Sequence, residues 1–501
     1  SEAPAQFSYL ESLLDEFSNA DGLDPKRRER LKDDIRTEAE ALGIEADLGL
    51  DEDISPAEAL TRIDRFVCDI KESQFGEGLH VFGRATQCQT AFDSDSSVAA
   101  EQQAIKQALS GQRIAAGPSG SPYRGRTDVL PSGRNLFATD PLSVPTRTAY
   151  AQGVKLAEEF IRRHLQDQGD WPSGVVVDLW GSATMRTAGE EFAMAMHLLG
   201  VRPVWTDGTE RVSGFEILPL ALLDRPRIDV TLRVSGLFRD VFPTLSSLYQ
   251  QAVEALAMRP ETPDWNPYMT ATARARVFGP APGAYGLGMG AAAEQLTEAG
   301  RQAAADAWIE ASSYAIDGEA VYQDKQAIQD RIAQADSFIH LQDMPETDLL
   351  LSADYAAHEA GFAAAKASVG GTAALYHIDN TDPDRPAART LTEEIARVVH
   401  ARACNPAWLA GMQRHGYRGA AEIAATLTHM AAFANLADVV GSHLFDSYHD
   451  ATLGDDDILS FMAEHNPEAL AAMQDCFQQL FEAGLWQTRR NSIRDLLEVS
   501  A

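Results

Sequence analysis

Short apolar runs alternate with amphipathic helical stretches between residues 150 and 390. The predicted strands are 175–179, 201–205, 228–234, 337–341 and 373–378. The third of these runs alternates strictly, with Asp229, Thr231 and Arg233 between apolar residues. A strand, a turn, a helix and a second strand within about 30 residues favour parallel pairing through right-handed crossovers. The pattern therefore predicts an α/β fold with a parallel-sheet, Rossmann-like core.

Helical patterns flank this core at both ends of the chain. An Asp-Pro pair at 24–25 and a Ser-Pro pair at 55–56 are typical of helix N-termini. Asn-Pro pairs at 405–406 and 466–467 open two more helices, and Gly484 closes the last long one. The predicted division is an acidic helical segment at 1–112, an arginine-, glycine- and proline-rich loop at 113–149, an α/β domain at 150–391 and a C-terminal helical domain at 392–501.

Three polar segments follow predicted strands directly, at 181–187, 235–240 and 342–346. We interpret them as loops. In a parallel sheet the carboxyl ends of the strands lie along one edge, and ligands bind beyond that edge. Two of these segments contain an arginine, Arg186 and Arg239. We therefore expect a ligand site where the three segments converge.

The net charge of −32 makes binding of a nucleic-acid backbone by the whole surface close to excluded, because like charges repel. The four cysteines have no CxxC spacing, which speaks against a disulfide scaffold, a zinc ribbon or an iron–sulfur cluster and predicts a reducing, cytoplasmic location. No stretch approaches the roughly 20 apolar residues of a membrane span, and no segment resembles a signal peptide. The chain begins at Ser1, without a methionine, which suggests a piece of a longer protein.

The loop at 113–147 is basic in an otherwise acidic protein. Its basic residues are all arginines, namely Arg113, Arg124, Arg126, Arg134 and Arg147, and only Asp128 and Asp140 oppose them. Irregular loops of this length are usually functional or disordered, and the planar guanidinium fork suits carboxylates and phosphates. The loop is therefore interpreted as an anion receptor, and the alternative is a surface connector whose arginines pair with the acidic helices.

Other motifs are less specific. The glycine-rich turn at 283–288 precedes an alanine-rich helix predicted at 290–307, but neither a GxGxxG nor a GxxxxGK[ST] pattern is present. A turn that approaches a ligand or another backbone is the favoured interpretation. The side chains of His443, Asp446 and His449 fall on one helix face, as a metal site or as an ordinary polar face. His340 ends an apolar strand and is either a ligand or base, or a packed histidine.

Several longer segments of the sequence are more specific than these motifs. They are residues 117–126, 130–137, 180–187, 226–240, 283–286, 405–408 and 415–419, with the strand end at His340, Gln342 and Asp343. In this order they resemble the CobN family, the large subunits of aerobic cobaltochelatase, which is related to the H subunit of magnesium chelatase. The resemblance covers nearly all of residues 75–495.

The resemblance implies a ligase activity, the ATP-dependent insertion of Co²⁺ into hydrogenobyrinic acid a,c-diamide in cobalamin biosynthesis. It implies that this chain binds the corrinoid tetrapyrrole, with Co²⁺ as a substrate, while separate AAA+ ATPase subunits use the ATP. The residues expected to bind the substrate and its carboxylates are Arg124, Arg126, Arg134, Trp180, Arg186 and Arg239. His340 and Asp343 are expected to contact the metal transiently or to remove pyrrolic protons. No nucleic acid or membrane is expected as a partner.

The chain also departs from the family pattern. The family's H-G-x-x-E-W-L-P-G motif lies upstream of anything present here, so we expect the C-terminal part of a longer subunit, one that need not be active alone. An acidic string is reduced to Asp354 at 351–355, and the segment 265–275 is short. The alternatives are a fragment of a magnesium-chelatase-type H subunit, a non-catalytic docking platform for the ATPase subunits, or a nucleotide-sugar transferase, for which no nucleotide site is found.

We predict that this chain does not bind ATP tightly, because no phosphate-binding loop with a lysine is present. Isothermal titration calorimetry with Mg-ATP at low salt is expected to show no binding in the micromolar range. Micromolar binding would favour the transferase alternative and contradict the prediction.

Overall fold

The computed structural model describes residues 4–19, 25–51, 54–73, 75–76, 78–85, 94–118, 120–136, 140–270, 274–490 and 493. The predicted helix cap Asp24 and the residues Cys88, Ser119 and Phe137 lie outside the described residues. Part of the short segment 265–275 does so too.

The chain forms two compact units. The first contains Ser1–Leu79, Glu346–Ala356 and Leu391–Ala501, and the second contains His80–Pro345 and Ala357–Thr390. The first unit thus joins helical segments from both ends of the sequence. The second unit contains the sheets.

The α-helices follow one another along the chain, with two π-helical turns among them. They are α1 Ser8–Asn19, α2 Pro25–Ala41, α3 Ile44–Asp47, α4 Pro56–Glu72, α5 Asp95–Leu109, α6 Arg147–Gln168, α7 Gly181–Thr187, α8 Glu190–Leu199, α9 Leu220–Leu223, α10 Gly236–Val241, α11 Pro243–Ala257, α12 Glu298–Glu310, α13 Lys325–Gln334, α14 Ala353–Tyr355, α15 Gly361–Val369, α16 Leu391–Val398, α17 Pro406–Gln413, α18 Gly416–Ala437, α19 Ser442–Ala451, α20 Asp456–His465 and α21 Pro467–Glu482. The π-helical turns are Ala356–Ala360 and Val399–Ala403. Among the described helices, none has the length and apolar character that a membrane crossing requires.

The strands form one large sheet and two small ones. They are β1 Ala116–Gly117, β2 Asn135–Leu136, β3 Gly174–Leu179, β4 Val201–Trp205, β5 Val212–Ile217, β6 Asp229–Val234, β7 Val277–Gly279, β8 Tyr314–Asp317, β9 Ala320–Gln323, β10 Ser337–Gln342, β11 Ala374–Asp379 and β12 Ala387–Thr390. The large sheet has the order β12-β11-β10-β3-β6-β7-β8-β9. Its central strands β11, β10, β3, β6 and β7 pair in parallel, and antiparallel pairs complete both edges. The predicted α/β fold with a parallel core is confirmed.

One predicted strand does not belong to this sheet. Residues 201–205 form β4 as predicted, but β4 pairs antiparallel with β5 in a separate two-stranded sheet. The third sheet pairs β1 with β2 in parallel, over two residues each, inside the arginine-rich loop.

Helices cover the large sheet on both faces. On one face, valines of β3 and β6 pack with Phe160 of α6, Met194 of α8 and Tyr249 of α11 in a continuous apolar core. On the other face, Phe338 of β10 stacks on Phe362 of α15, with ring centroids 4.6 Å apart. Of the alternating polar residues of β6, Thr231 and Arg233 are buried and Asp229 is partly buried.

Two of the three strand-end segments are helices and not loops, which corrects the sequence-based interpretation. The segment after β3 is α7, and the segment after β6 is α10, whose N-cap Ser235 accepts a hydrogen bond from the backbone N–H of Phe238. A Cβ atom at Gly181 would lie 2.5 Å from the backbone nitrogen of Phe238, so this glycine lets the two helices approach closely. The alanine-rich helix begins later than predicted, at Glu298, because Thr297 caps it.

Three of the helix caps predicted in the first unit lie within the described residues and are present. Ser55 accepts a hydrogen bond from the backbone N–H of Glu58, and Asn405 and Asn466 cap α17 and α21 in the same way. The backbone φ of Gly484, +74°, lies in the left-handed region that favours glycine, directly after the last long helix.

We predict that Gly153→Ala destabilises the second unit by about 1–3 kcal/mol through overpacking. A Cβ atom at this position of α6 would lie 2.6 Å from the backbone nitrogen of Met194 and 2.7 Å from the Cβ of Ala193 in α8. Urea denaturation followed by tryptophan fluorescence measures the effect. Lys155→Ala, on the exposed face of the same helix, is the control and is expected to change stability by less than about 0.5 kcal/mol. Equal stability of Gly153→Ala and the unmodified protein would contradict the tight contact.

Candidate functional site

Polar residues form a row across four neighbouring parallel strands. Register pairs His377 of β11 with His340 of β10, His340 with Asp178 of β3, and Asp178 with Arg233 of β6. Directly paired residues point to the same face of a sheet. We call these four residues the polar row. Their exposed fractions are only 0–3%, so each needs a partner within the protein.

Asp178 is the acceptor at the centre of the row. Its carboxylate accepts hydrogen bonds from Arg233 Nη1 at 3.2 Å, from Trp180 Nε1 at 2.7 Å and from Nδ1 of His358 at 2.7 Å. Nδ1 of His340 lies 3.3 Å away. Four groups, from two neighbouring strands, the residue after β3 and one helical turn, therefore converge on a single carboxylate.

These contacts set the charge of the centre. Burial alone would raise the pKa of Asp178. In the acidic range where the carboxylate would take up a proton, the charge of protonated His358, the charge of Arg233 and the hydrogen bonds from the imidazoles outweigh burial and hold the pKa well below its ordinary value. Burial lowers the pKa of His358, and the nearby carboxylate counters this only in part. At neutral pH the centre thus holds an ionised aspartate and a neutral imidazole.

His358 reaches Asp178 from the π-helical turn Ala356–Ala360. Its backbone carbonyl accepts a hydrogen bond from Trp308 Nε1 at 3.1 Å, which anchors the turn. Its ring centroid lies 5.0 Å from that of Trp180. Single π-helical turns inside α-helices are rare and occur frequently at functional sites.

The next residue of this turn holds the other end of the polar row. Glu359 Oε1 lies 3.0 Å from Nδ1 of His377, and Nε2 of His377 lies 3.0 Å from Oε1 of Gln342. The ring of His377 is 5.9 Å from that of His340. Both nitrogens of His377 are therefore engaged, and its orientation is fixed.

Two residues predicted to bind different partners bind each other. Arg186 of α7 donates two hydrogen bonds to the carboxylate of Asp343, at 2.7 and 2.8 Å. The predicted receptor for substrate carboxylates is thus paired with the predicted metal ligand. Oppositely charged groups at two strand ends neutralise each other, which spacing along the sequence does not reveal.

The arginines of the basic loop also have partners. Arg124 donates to Glu190 of α8 at 2.7 Å, and Arg126 forms an exposed two-point pair with Asp128. Arg134 donates to the carbonyls of Leu130 and Pro131 of its own loop, at 2.6 and 3.1 Å. These arginines stabilise the loop, and those with carboxylate partners form ion pairs.

Arg239 holds the glycine-rich turn. Its Nε donates to Asp240 at 2.7 Å, and its Nη1 donates to the carbonyls of Pro280, Ala281 and Ala284. A Cβ atom at Gly236 would lie 2.4 Å from the carbonyl oxygen of Ala284. The prediction of a turn that approaches another backbone is therefore confirmed.

The predicted histidine face of α19 packs against other helices of the first unit. His443 Nε2 lies 2.7 Å from the buried carboxylate of Asp47, and Asp446 accepts a hydrogen bond from Trp486 Nε1 at 2.9 Å. Within the described part of the chain, no three His, Cys, Asp or Glu side chains are arranged to hold a metal ion. The helix face is thus a polar packing surface, and the metal-site alternative is wrong for these residues.

Three central residues were not among the predicted site residues, namely Asp178, Arg233 and His358. Asp178 interrupts an apolar run that predicts a buried strand, and Arg233 lies in the neighbouring strand. A charged residue in each of two buried strands was the available signal, because buried charges are paired. His358 gave no comparable signal, since it lies in an alanine-rich helical stretch.

Comparisons with known proteins give a consistent result. A family model described as CobN/Magnesium Chelatase matches residues 1–94 and 86–493. The aerobic cobaltochelatase subunit CobN of Pseudomonas aeruginosa is 34% identical, over 98% of this chain and 49% of the relative. The magnesium-chelatase H subunit of Rhodobacter capsulatus is 26% identical, over 90% of this chain and 40% of the relative.

A solved structure is similar over nearly the whole of this chain. The catalytic subunit of cobaltochelatase from Mycobacterium tuberculosis superposes with a TM-score of 0.89 and 30% sequence identity. The match covers 99% of this chain and 51% of that one. The chain thus spans about half the length of the cobaltochelatase relatives that it matches.

We predict that Asp178→Asn destabilises the second unit by about 3–5 kcal/mol, because it leaves the buried guanidinium of Arg233 without its counter-charge. The double variant Asp178→Asn/Arg233→Met is expected to be more stable than Asp178→Asn alone, since it removes both charges together. Urea denaturation of the two single variants and the double variant completes a double-mutant cycle. Strictly additive free energies would contradict the ion pair.

Proposed function

This chain belongs to the CobN/magnesium chelatase family, and we propose that it forms part of the large, tetrapyrrole-binding subunit of a cobaltochelatase. The proposed reaction is the insertion of Co²⁺ into hydrogenobyrinic acid a,c-diamide in cobalamin biosynthesis. The proposed partners are AAA+ ATPase subunits, which hydrolyse ATP while this chain holds the corrinoid.

The observation that carries this proposal is the superposition with a cobaltochelatase catalytic subunit over 99% of the chain at a TM-score of 0.89. The sequence identities also favour cobalt over magnesium. They are 34% and 33% with two CobN subunits, against 26–27% with magnesium-chelatase subunits.

The chemistry of the carboxyl edge is compatible with a polycarboxylate substrate. Among the arginines expected to bind its carboxylates, Arg126 is the best placed to exchange partners, because exposed ion pairs such as Arg126–Asp128 contribute only about 0–1 kcal/mol. Arg124 and Arg186 would have to leave Glu190 and Asp343. We propose that these three act as carboxylate receptors.

Arg134 and Arg239 are less suited to that exchange, since each donates to backbone carbonyls that would lose a partner. We propose that they position the loop and the turn that face the substrate. Trp180 is proposed to border the macrocycle. If Arg186 turns to a substrate carboxylate, Asp343 is released for transient contact with Co²⁺, and His340 remains the second proposed metal contact.

The proposal is tested with the protein as its cell contains it, tagged at the chromosomal locus and purified in that form. Metal insertion is followed by absorbance with Co²⁺ and hydrogenobyrinic acid a,c-diamide, and separately with Mg²⁺ and protoporphyrin IX, with the AAA+ subunits and ATP. We expect cobalt insertion that requires ATP, the ATPase subunits and this chain.

Two outcomes would overturn the proposal. Insertion of magnesium but not cobalt would assign the chain to the magnesium-chelatase type. Binding of the ATPase subunits without insertion of either metal would favour the docking platform. A reaction without this chain is the control for spontaneous metal insertion.

A further inference from the structure

The imidazole of His358 is oriented by its surroundings. An ionised carboxylate only accepts hydrogen bonds, so Nδ1 of His358, 2.7 Å from Asp178, carries the hydrogen that it donates. Trp180 Nε1 and Arg233 Nη1 lie 3.1 and 3.0 Å from the same Nδ1 and donate to the carboxylate of Asp178 as well. The hydrogen bond from Trp308 to the backbone carbonyl of His358 fixes the turn behind the ring. The neutral ring therefore presents the lone pair of Nε2 on the side opposite to Asp178.

His358 is also the most exposed imidazole of this cluster. Eleven per cent of its side chain is exposed, whereas His340 and His377 are 3% and 0% exposed. Nε2 of His377 is already engaged by Gln342. Among these three rings, His358 is the most accessible, and it lies in a helical turn rather than in the sheet.

The charges around the ring allow it to take up one proton and to return it. The groups that face it are Asp178, Arg233 and His340. The charges of Asp178 and Arg233 cancel. A proton added to His358 makes an imidazolium 2.7 Å from the carboxylate of Asp178. The positive guanidinium of Arg233, whose Nη1 lies 3.0 Å from Nδ1 of His358, disfavours a lasting positive charge on the imidazole. Because burial also lowers the pKa of His358, a proton that the ring takes up is released again.

The cluster has one hydrogen-bond donor without a partner. Nη2 of Arg233 is buried and has no hydrogen-bond partner among the described residues, although the residue is 0% exposed. Most buried donors are satisfied. This donor, beside the carboxylate–imidazole pair, leaves one hydrogen-bond position of the cluster open to a further molecule.

We propose that His358 is the general base of metal insertion and that Asp178 positions it. The proton bound to a ring nitrogen of the macrocycle moves to Nε2 of His358, and the lone pair left on that nitrogen binds the incoming metal ion. The imidazolium then releases the proton to solvent, so one N–H bond breaks, one nitrogen–metal bond forms and no electron is transferred. This inference rests on the proposed function, since it assigns a step of that reaction.

The test uses His358→Gln in the whole protein with its ATPase subunits. We expect kcat for cobalt insertion to fall about 10²–10⁴-fold, while corrinoid binding, measured by fluorescence quenching, stays within about twofold. In the unmodified protein the rate is expected to fall as the pH drops through the pKa of His358, which burial places below the ordinary histidine value. This acid limb is expected to be absent from the residual rate of the variant.

The matched control is His164→Gln. His164 is a histidine of the same unit, 3% exposed, and its Nδ1 lies 3.1 Å from Ser337 Oγ at the first residue of β10, away from the carboxyl edge. We expect its kcat and pH profile to match those of the unmodified protein. Equal losses in the two variants would indicate a general packing effect and overturn the assignment.

A second variant separates chemistry from folding. His358→Ala is expected to recover activity when imidazole is added, because the free base can occupy the vacated space beside Asp178. Absence of rescue, or a kcat of His358→Gln within threefold of normal, would overturn the inference. Both of these outcomes require an active unmodified protein, whereas failure of the unmodified protein to insert cobalt rejects the proposed function itself.

Discussion

An ionised aspartate inside a parallel sheet is the constraint on which the rest of this site depends. Asp178 is 2% exposed, and an isolated carboxylate at such a position would be strongly destabilising. The neighbouring strand supplies Arg233, and the π-helical turn supplies His358. Because these partners come from separate elements, the carboxylate ties two strands and the helical turn together at the edge where ligands bind in such sheets.

Close backbone contacts also fix the segments that surround this edge of the sheet. Without a side chain, Gly181 lets α7 meet α10, and Gly236 lets α10 meet the glycine-rich turn. Arg239 then joins α10 to that turn through three carbonyl oxygens. The segments after β3, β6 and β7 are thus held at fixed positions beside the polar row, as preorganisation of a candidate site requires.

The fold could be predicted from the sequence because apolar runs and helix caps are local signals. Residues 175–179 and 337–341 form buried strands, as their short apolar runs predict. The site could be predicted only in part. His340 was found because polar residues follow it, but the pair of Arg186 and Asp343 joins residues 157 positions apart. No local pattern encodes such a pair, nor the π-helical turn that brings His358 to Asp178.

The ion pairs of the arginines bear on the proposed binding of an acidic substrate by this acidic protein. With a net charge of −32, an unpaired arginine cluster at the surface would attract the protein's own carboxylates as strongly as those of a ligand. The structure shows this outcome for Arg124, Arg126 and Arg186, each bound to an acidic side chain. Under the proposed function, binding of a polycarboxylate by these arginines would be an exchange of partners. The free energy of that exchange is the difference between the ion pairs formed with the ligand and the ion pairs broken within the protein. The affinity would therefore be higher where the internal ion pair is weaker.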